Sequence, residues 1–238
     1  MGDAAVWVRY SDGSVSESAW DRLRLSDFDG SVPWREARTR RGQSHYSGLY
    51  ASATTGGFVA YESRLELARV LLADFDRQVR WIYAQPFRLV ARVDGRVRSH
   101  VPDLLLVTEA VTGWLVNVKP AVRLADPKVA EALAWPGVLA QRHGWAYEVW
   151  SGANTTVLEN VRFLAGYRRP RIVPAGEVER VWAGVRDGEQ LAEAELRLAG
   201  DRPRHEVRPA LLALLWSGRL ITDMSRPLSG VSVLWRRT

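Results

Sequence analysis

Between Ile82 and Trp150 the sequence spells out an order of elements that leaves few folds open. Ile82 to Val93 is a strand-like run rich in β-branched and aromatic residues. Asp94-Gly95 follows as a hairpin turn, and Val97 to Thr108 returns as a second run. A turn at Thr112-Gly113 leads into Trp114-Leu115-Val116-Asn117-Val118-Lys119, which Pro120 ends because proline cannot donate to a central ladder. Asp126 then caps a helix with Pro127 at its first position, running through Ala140 or beyond. Gly144 closes that helix, and Trp145 to Trp150 is the next strand. A meander followed by a strand–helix–strand step implies a mixed sheet with helices packed on it, an α/β fold. Upstream, apolar residues Leu65, Ala68, Leu72 and Phe75 recur at spacings of three and four, so Tyr61 to Phe75 reads as an amphipathic helix.

Three zones flank and contain this pattern. Residues 1–57 are rich in Ser, Asp, Gly and Arg, and the aromatics Trp7, Tyr10, Trp20 and Trp34 mark them as an extension packed on the core. Within it WVRY reads as a short strand and SESAWDRLRL as a short helix, and Arg38 to Gly42 is a basic loop. Residues 58–169 form the α/β unit. Residues 170–175, with two prolines, read as a linker. Residues 176–238 carry helical runs at Glu177–Val185, Glu189–Leu198 and Glu206–Ser217. Strand-like segments follow at Arg219–Asp223 and Val231–Trp235, a winged-helix-like order.

Composition restricts the chemistry. The chain has no cysteine, which excludes disulfides and thiolate-held metals. No apolar run approaches the roughly 18 residues that span a bilayer, and the first residues carry no secretory pattern, so a cytoplasmic protein is expected. The net charge is +6, and the basic excess concentrates in residues 61–175, 16 basic against 11 acidic, as a polyanionic substrate would require. Of the 33 basic residues only Lys119 and Lys128 are lysines. A lysine chosen on a strand, in a chain that otherwise uses arginine, points to a role for a compact point charge.

That lysine belongs to a constellation. Asp103, after Pro102, is a hard anionic oxygen suited to magnesium. Asn117 and Lys119 are two apart and share one face of a strand; Asn117 offers an amide oxygen and Val118 a backbone carbonyl. Lys119 can hold an attacking water or stabilise charge on a phosphoryl group. Glu66 lies beside the apolar stripe of the upstream helix and can reach the sheet edge, with Glu62 one turn earlier as the competing carboxylate. The plain alternatives are a surface ion pair of Glu66 with Arg64 or Arg69, a capping Asn and a snorkelling Lys. His100 could contact phosphate near the site, its plain alternative being a surface or strand-end residue.

The runs Tyr61-Glu62-Ser63-Arg64-Leu65-Glu66-Leu67, Gln85-Pro86-Phe87, Pro102-Asp103-Leu104-Leu105 and Val116-Asn117-Val118-Lys119-Pro120-Ala121 resemble TnsA, the endonuclease subunit of heteromeric cut-and-paste transposases. TnsA belongs to the restriction-endonuclease-like PD-(D/E)XK superfamily. The similarity runs from about Gly42, through Ser44-His45 and Thr55-Gly56-Gly57, to about Val149. The resemblance implies a restriction-endonuclease-like mixed sheet flanked by helices and a small C-terminal winged-helix-like domain. It favours Glu66 over Glu62, and gives Glu66, Asp103 and Lys119 as catalytic and Glu66, Asp103, Asn117 and Val118 as holding Mg2+, with Mn2+ as a substitute. Where relatives carry Gln, Asp or Glu, this chain has Asn117, one formal charge short of an acidic version. The implied activity is cleavage of one strand at the 5′ transposon ends. The implied partners are DNA, a DDE transposase subunit and an AAA+ ATPase regulator, with no membrane. Two other classes fit the same residues: a catalytically weak DNA-binding scaffold subunit, and a winged-helix regulator with a degenerate nuclease domain.

Overall fold

A computed structural model describes residues 4–35, 46–169 and 171–237. The basic run Arg38 to Gly42 and the pair Ser44-His45 lie outside the described residues. The chain divides into two units, with the boundary between Gly152 and Ala153. No helix among the described residues is long and apolar enough to cross a membrane.

The first unit is a mixed α/β assembly. Its elements are β1 (Ala4–Arg9), β2 (Val15–Ala19), β3 (Gly48–Ala51), β4 (Phe58–Tyr61), α1 (Arg64–Phe75), β5 (Val79–Ala84), β6 (Arg88–Val93), β7 (Arg96–His100), β8 (Leu104–Thr108), β9 (Gly113–Val118), α2 (Ala121–Leu124), α3 (Pro127–Arg142) and β10 (Ala146–Trp150). One antiparallel sheet has the order β2-β1-β6-β7; a second has the order β10-β9-β8-β5; β3 and β4 pair as a separate hairpin. In the second sheet β9 and β10 are parallel and the remaining pairs antiparallel, so the strand–helix–strand step through α3 yields the expected mixed sheet.

The turn chemistry follows the sequence. Asp94 and Gly95 both have positive φ, 49° and 74°, the backbone that a tight hairpin demands and that Asp-Gly adopts readily. Asp126 accepts the Lys128 amide N–H at 2.9 Å with Pro127 behind it, and Gly144 leaves α3 at φ 79°.

The segment SESAWDRLRL is not a helix. Val15–Ala19 pairs antiparallel with β1, and Trp20–Arg22 forms only a 3-10 turn. Packing decides the outcome: Trp20 is buried against Phe87 and Trp145, and its indole N–H donates to the Leu139 carbonyl at 3.1 Å. Those long-range contacts outweigh a weak local helix preference. The packed extension is otherwise as expected, since Val6, Val8, Trp20 and Phe28 join Phe87, Leu89, Leu105, Leu115, Trp135 and Trp145 in one core. The helix expected from Tyr61 begins at Arg64, because Phe58–Tyr61 is taken up pairing with β3.

The two long strand runs are each broken, and at the same level. Residues 79–84 and 104–108 pair in one sheet, whereas 88–93 and 96–100 pair in the other. The breaks fall at Gln85–Phe87 on one arm and Val101–Asp103 on the other. Each contains a proline, Pro86 or Pro102, which cannot donate to a ladder. The bent hairpin therefore passes from one sheet to the other through a crease, and Asp103 sits in that crease just before β8 rather than within a strand.

The second unit comprises α4 (Thr155–Leu164), a 3-10 turn at Ala165–Tyr167, α5 (Ala175–Gly184), α6 (Leu191–Ala199), α7 (Arg204–Trp216), β11 (Leu220–Ile221) and β12 (Trp235–Arg236). The last two pair antiparallel. The order of three helices and a short strand pair matches the sequence reading. The boundary lies ahead of residues 170–175, and α4 belongs with α7. Asn160 of α4 shows why: its amide N–H groups donate to the carbonyls of Met224 and Arg226 at 3.0 and 2.7 Å, and its oxygen accepts the Leu228 N–H at 2.9 Å.

Candidate active site

Asp103 is placed by the crease. β8 begins at Leu104, opposite Val116, so the next backbone group of β9 facing that side, at Val118, has no residue of β8 to pair with. The Asp103 carboxylate takes that place, accepting the Val118 N–H at 2.6 Å. Lys119 turns the other way and donates its N–H to the Trp150 carbonyl of β10 at 2.9 Å. An extended residue directs its N–H and C=O to the same side, so the Val118 carbonyl opens toward Asp103 as well. The Asp103 carboxyl is pushed above the usual carboxylate range, chiefly by burial and also by the charge of Glu62; the Val118 N–H and the cations Lys119 and Arg35 oppose the shift. Among the described residues Lys119 forms no ion pair.

Glu66 is delivered by the start of α1. Ser63 is the N-cap, its hydroxyl accepting the Glu66 amide at 3.1 Å and donating to Glu66 Oε1 at 3.0 Å. Glu66 Oε2 accepts the Glu62 N–H at 2.8 Å. This Ser63 cap, with the Glu66 carboxylate reaching back one residue further to the Glu62 N–H, gives Glu66 a local task. It does not remove Glu66 from the site: burial raises its carboxyl, and the charges of Asp103 and Glu62 add to the rise. The surface ion pairs considered for it do not form. Arg69 is buried against Glu148 of β10 at 2.8 Å and over the Trp114 ring, while Arg64 lies over Tyr46. Glu62 instead meets Arg35 at 3.4 Å.

Asn117 is buried, and its amide orientation follows from a chain of obligations. The Leu133 carbonyl can only accept, so the Tyr147 hydroxyl donates to it. The Tyr147 oxygen then accepts from Asn117 Nδ2 at 3.0 Å, which turns Asn117 Oδ1 toward His100 Nε2 at 2.7 Å. The His100 proton therefore resides on Nε2. Burial, with Lys119 and Arg35 nearby, lowers its pKa to about 4, so the ring is neutral at pH 7. Burial and the Asp103 charge raise the Tyr147 phenol. The amide of Asn117 is thus held by His100 and Tyr147, one neighbour removed from the carboxylates.

The structure brings Glu66, Asp103, Val118 and Lys119 into one electrostatic neighbourhood, with Asn117 and His100 behind it. Among the described residues no three His, Cys, Asp or Glu side chains converge as a metal-holding group. The oxygen donors are two carboxylates and a backbone carbonyl, with Asn117 at one remove. Two carboxyls raised by burial, each near other negative charge, are a donor set that a divalent cation relieves, so these residues suit a hard cation.

Two further residues, Gln85 and Arg35, complete the neighbourhood. Gln85 is buried and has φ 45°, a left-handed backbone that costs a non-glycine residue roughly 1–2 kcal/mol. Its N–H donates to the Asp103 carbonyl at 2.9 Å, its carbonyl accepts the Trp34 N–H at 2.9 Å, and its Oε1 accepts the Arg35 N–H at 3.1 Å. Gln85 thereby ties the 34–35 segment to the crease. The run Gln85-Pro86-Phe87 was visible in the sequence; that its strain would seat Arg35 was not, because the partners are 50 residues apart. An open cleft of about 410 Å3 lies alongside, lined by residues 29–33, 57–60 and 81–84 with Phe58, Trp81 and Tyr83. Its lining segments run on into Arg35, Glu62 and Gln85.

No family model matches this chain, and no curated protein matches its sequence significantly.

Proposed function

We propose that the chain is a DNA endonuclease subunit of a heteromeric transposase, hydrolysing one strand at the 5′ transposon ends with magnesium or, in its place, manganese. The observation that carries the reading is Asp103: a half-buried carboxylate at the crease, on the Val118 N–H, with Lys119 beside it and Glu66 within electrostatic reach. The mixed sheet with its β9–α3–β10 crossover supports a restriction-endonuclease-like core, and the three helices and strand pair support a winged-helix-like second unit. The TnsA-like runs named above supply the transposition context, with a DDE transposase and an AAA+ ATPase as partners in the cytoplasm.

Glu66, Asp103 and the Val118 carbonyl would hold the cation, with Asn117, whose Oδ1 meets His100, contributing if its amide were freed. A bound divalent cation polarises the scissile phosphoryl group and lowers the pKa of water. Lys119 orients the attacking water and balances charge developing on the phosphoryl oxygens. Asp103, held by the Val118 N–H, keeps its second oxygen for this work. Neutral His100 fixes Asn117 without adding charge.

A second reading has its own observation. Asn117 is neutral and committed to His100 and Tyr147, as befits a scaffold subunit that binds DNA and cuts poorly. Metal titration by calorimetry on the DNA complex separates the two. Magnesium or manganese binding that disappears in Asp103→Ala supports the nuclease; no binding by the native chain supports the scaffold.

A further inference from the structure

Among the described residues Arg35, like Lys119, is a cation whose charge acts on Asp103, and its placement is unusually determined. Its backbone N–H is held by the side chain of buried Gln85, and the preceding Trp34 N–H by the Gln85 carbonyl. Gln85 in turn is anchored to the Asp103 carbonyl and keeps a strained left-handed backbone. A glycine would adopt φ 45° without cost but would supply no acceptor for Arg35. Retaining strain in order to seat one residue is the pattern found where geometry matters more than stability.

The guanidinium, by contrast, is loosely engaged. Its ion pair with Glu62 is 3.4 Å long and its side chain is 52% exposed. A pair of this kind contributes about 0–1 kcal/mol, so an incoming anion of higher charge density displaces it readily. Its field nevertheless reaches Asp103 and His100. A rigid backbone, a released fork of donors and proximity to the carboxylates suit bidentate capture of a phosphodiester.

We infer that Arg35 is a phosphodiester-binding residue of this site, exchanging Glu62 for a phosphate oxygen pair of the bound DNA strand, and that Gln85 is its positioning residue. This rests on the endonuclease reading and adds a substrate contact that the TnsA-like motifs do not include. Arg35 captures the backbone beside the crease, while Lys119 attends to the reacting group. The freed Glu62 carboxylate remains beside Glu66 and Asp103.

The test uses the full-length chain and a fluorescent mixed-sequence DNA duplex in metal-free buffer, with affinity followed over a salt series. Arg35→Met is expected to weaken binding about tenfold and to reduce the slope of log affinity against log salt by about one, the change expected for loss of one phosphate contact. Gln85→Gly, which permits the backbone but removes the acceptor, is expected to weaken binding in the same direction while Arg35 remains present. Thermal unfolding of both variants close to that of the native chain excludes misfolding as the cause. A purely structural Arg35 would lower the melting temperature and leave the salt slope untouched, which overturns the inference. Equal affinity and slope for native and Arg35→Met chains overturns it too, and leaves the endonuclease reading standing if Lys119→Ala still abolishes cleavage. A reduced slope in Arg35→Met with no cleavage by the native chain and its partners overturns the endonuclease reading instead and keeps the phosphate contact.

Discussion

Keeping Asp103 and Glu66 ionised costs the fold stability. Both carboxyls have folded pKa values above their unfolded ones, for which burial is the leading cause. A raised acid favours the folded state while protonated, and that advantage is lost as pH rises from about 4 through the raised folded values. Asp103→Asn and Glu66→Gln keep an acceptor for the Val118 and Glu62 N–H groups while removing the charge. Each is expected to raise the melting temperature at pH 7 and flatten its pH dependence, with a 1 kcal/mol gain reading as about 2–4 °C, and to abolish activity. Differential scanning calorimetry across pH 4–8 checks this. His100 has the opposite sign: its folded pKa is depressed to about 4, so its contribution holds above about 6.5 and is lost as pH falls toward 4. Asn117→Asp places a carboxylate on Nε2 and is expected to move the His100 midpoint upward by more than one unit in an NMR titration. At this scale the electrostatic proximity of Asp103 to Lys119 was legible from the Pro-Asp and Val-Lys-Pro runs, whereas the apolar stripe left Glu66 and Glu62 both open and only the family resemblance favoured Glu66. Arg35 and Gln85 were not, because nothing local to either residue encodes a bond across 50 positions. Nor did the sequence show that Asn117 would be locked by Tyr147 and His100.

Among the elements, α1 carries the site into place from both ends. Its N-terminus is fixed by the Ser63 cap and the Ser63–Glu66 side-chain bond, and Ser63→Ala is expected to cost about 0.5–2 kcal/mol in chemical denaturation and to reduce activity by loosening Glu66. Near its C-terminus, Asp74 is fully buried and accepts from Tyr50 and Ser52 hydroxyls at 2.8 and 2.6 Å and from the Ala53 and Thr54 amides at 3.1 and 2.7 Å. It pins the β3–β4 hairpin, and with it the approach to Glu62. Asp74→Ala orphans these donors and is expected to cost more than about 2 kcal/mol, given about 1–3 kcal/mol for each buried group left unsatisfied. Nothing local to Asp74 encodes this role, since its four donors lie some 20 residues upstream. The Asp94-Gly95 turn, the Asp126-Pro127 start and the β9–α3–β10 crossover were readable because each rests on local backbone chemistry. The crease was missed because a run of β-formers reads as one strand whether or not it changes sheets; Pro86 and Pro102 were its only visible marks.

At the scale of the whole molecule, the division at Gly152/Ala153 changes how the chain should be dissected. The prolines at 170–175 looked like a boundary, yet α4 belongs to the second unit through Asn160 and its three bonds to residues 224–228. A fragment of residues 153–238 is expected to unfold cooperatively by circular dichroism, and one of residues 176–238 to lack a cooperative transition.

The central claim is tested most directly by strand cleavage. Full-length chain, combined with its transposase partner and end-labelled transposon DNA in magnesium, is expected to nick one strand at the 5′ end. Asp103→Ala and Lys119→Ala are expected to lose the nick entirely while still assembling on the DNA. Undiminished cleavage by both variants, or assembled native complex that leaves that strand intact, would contradict the account.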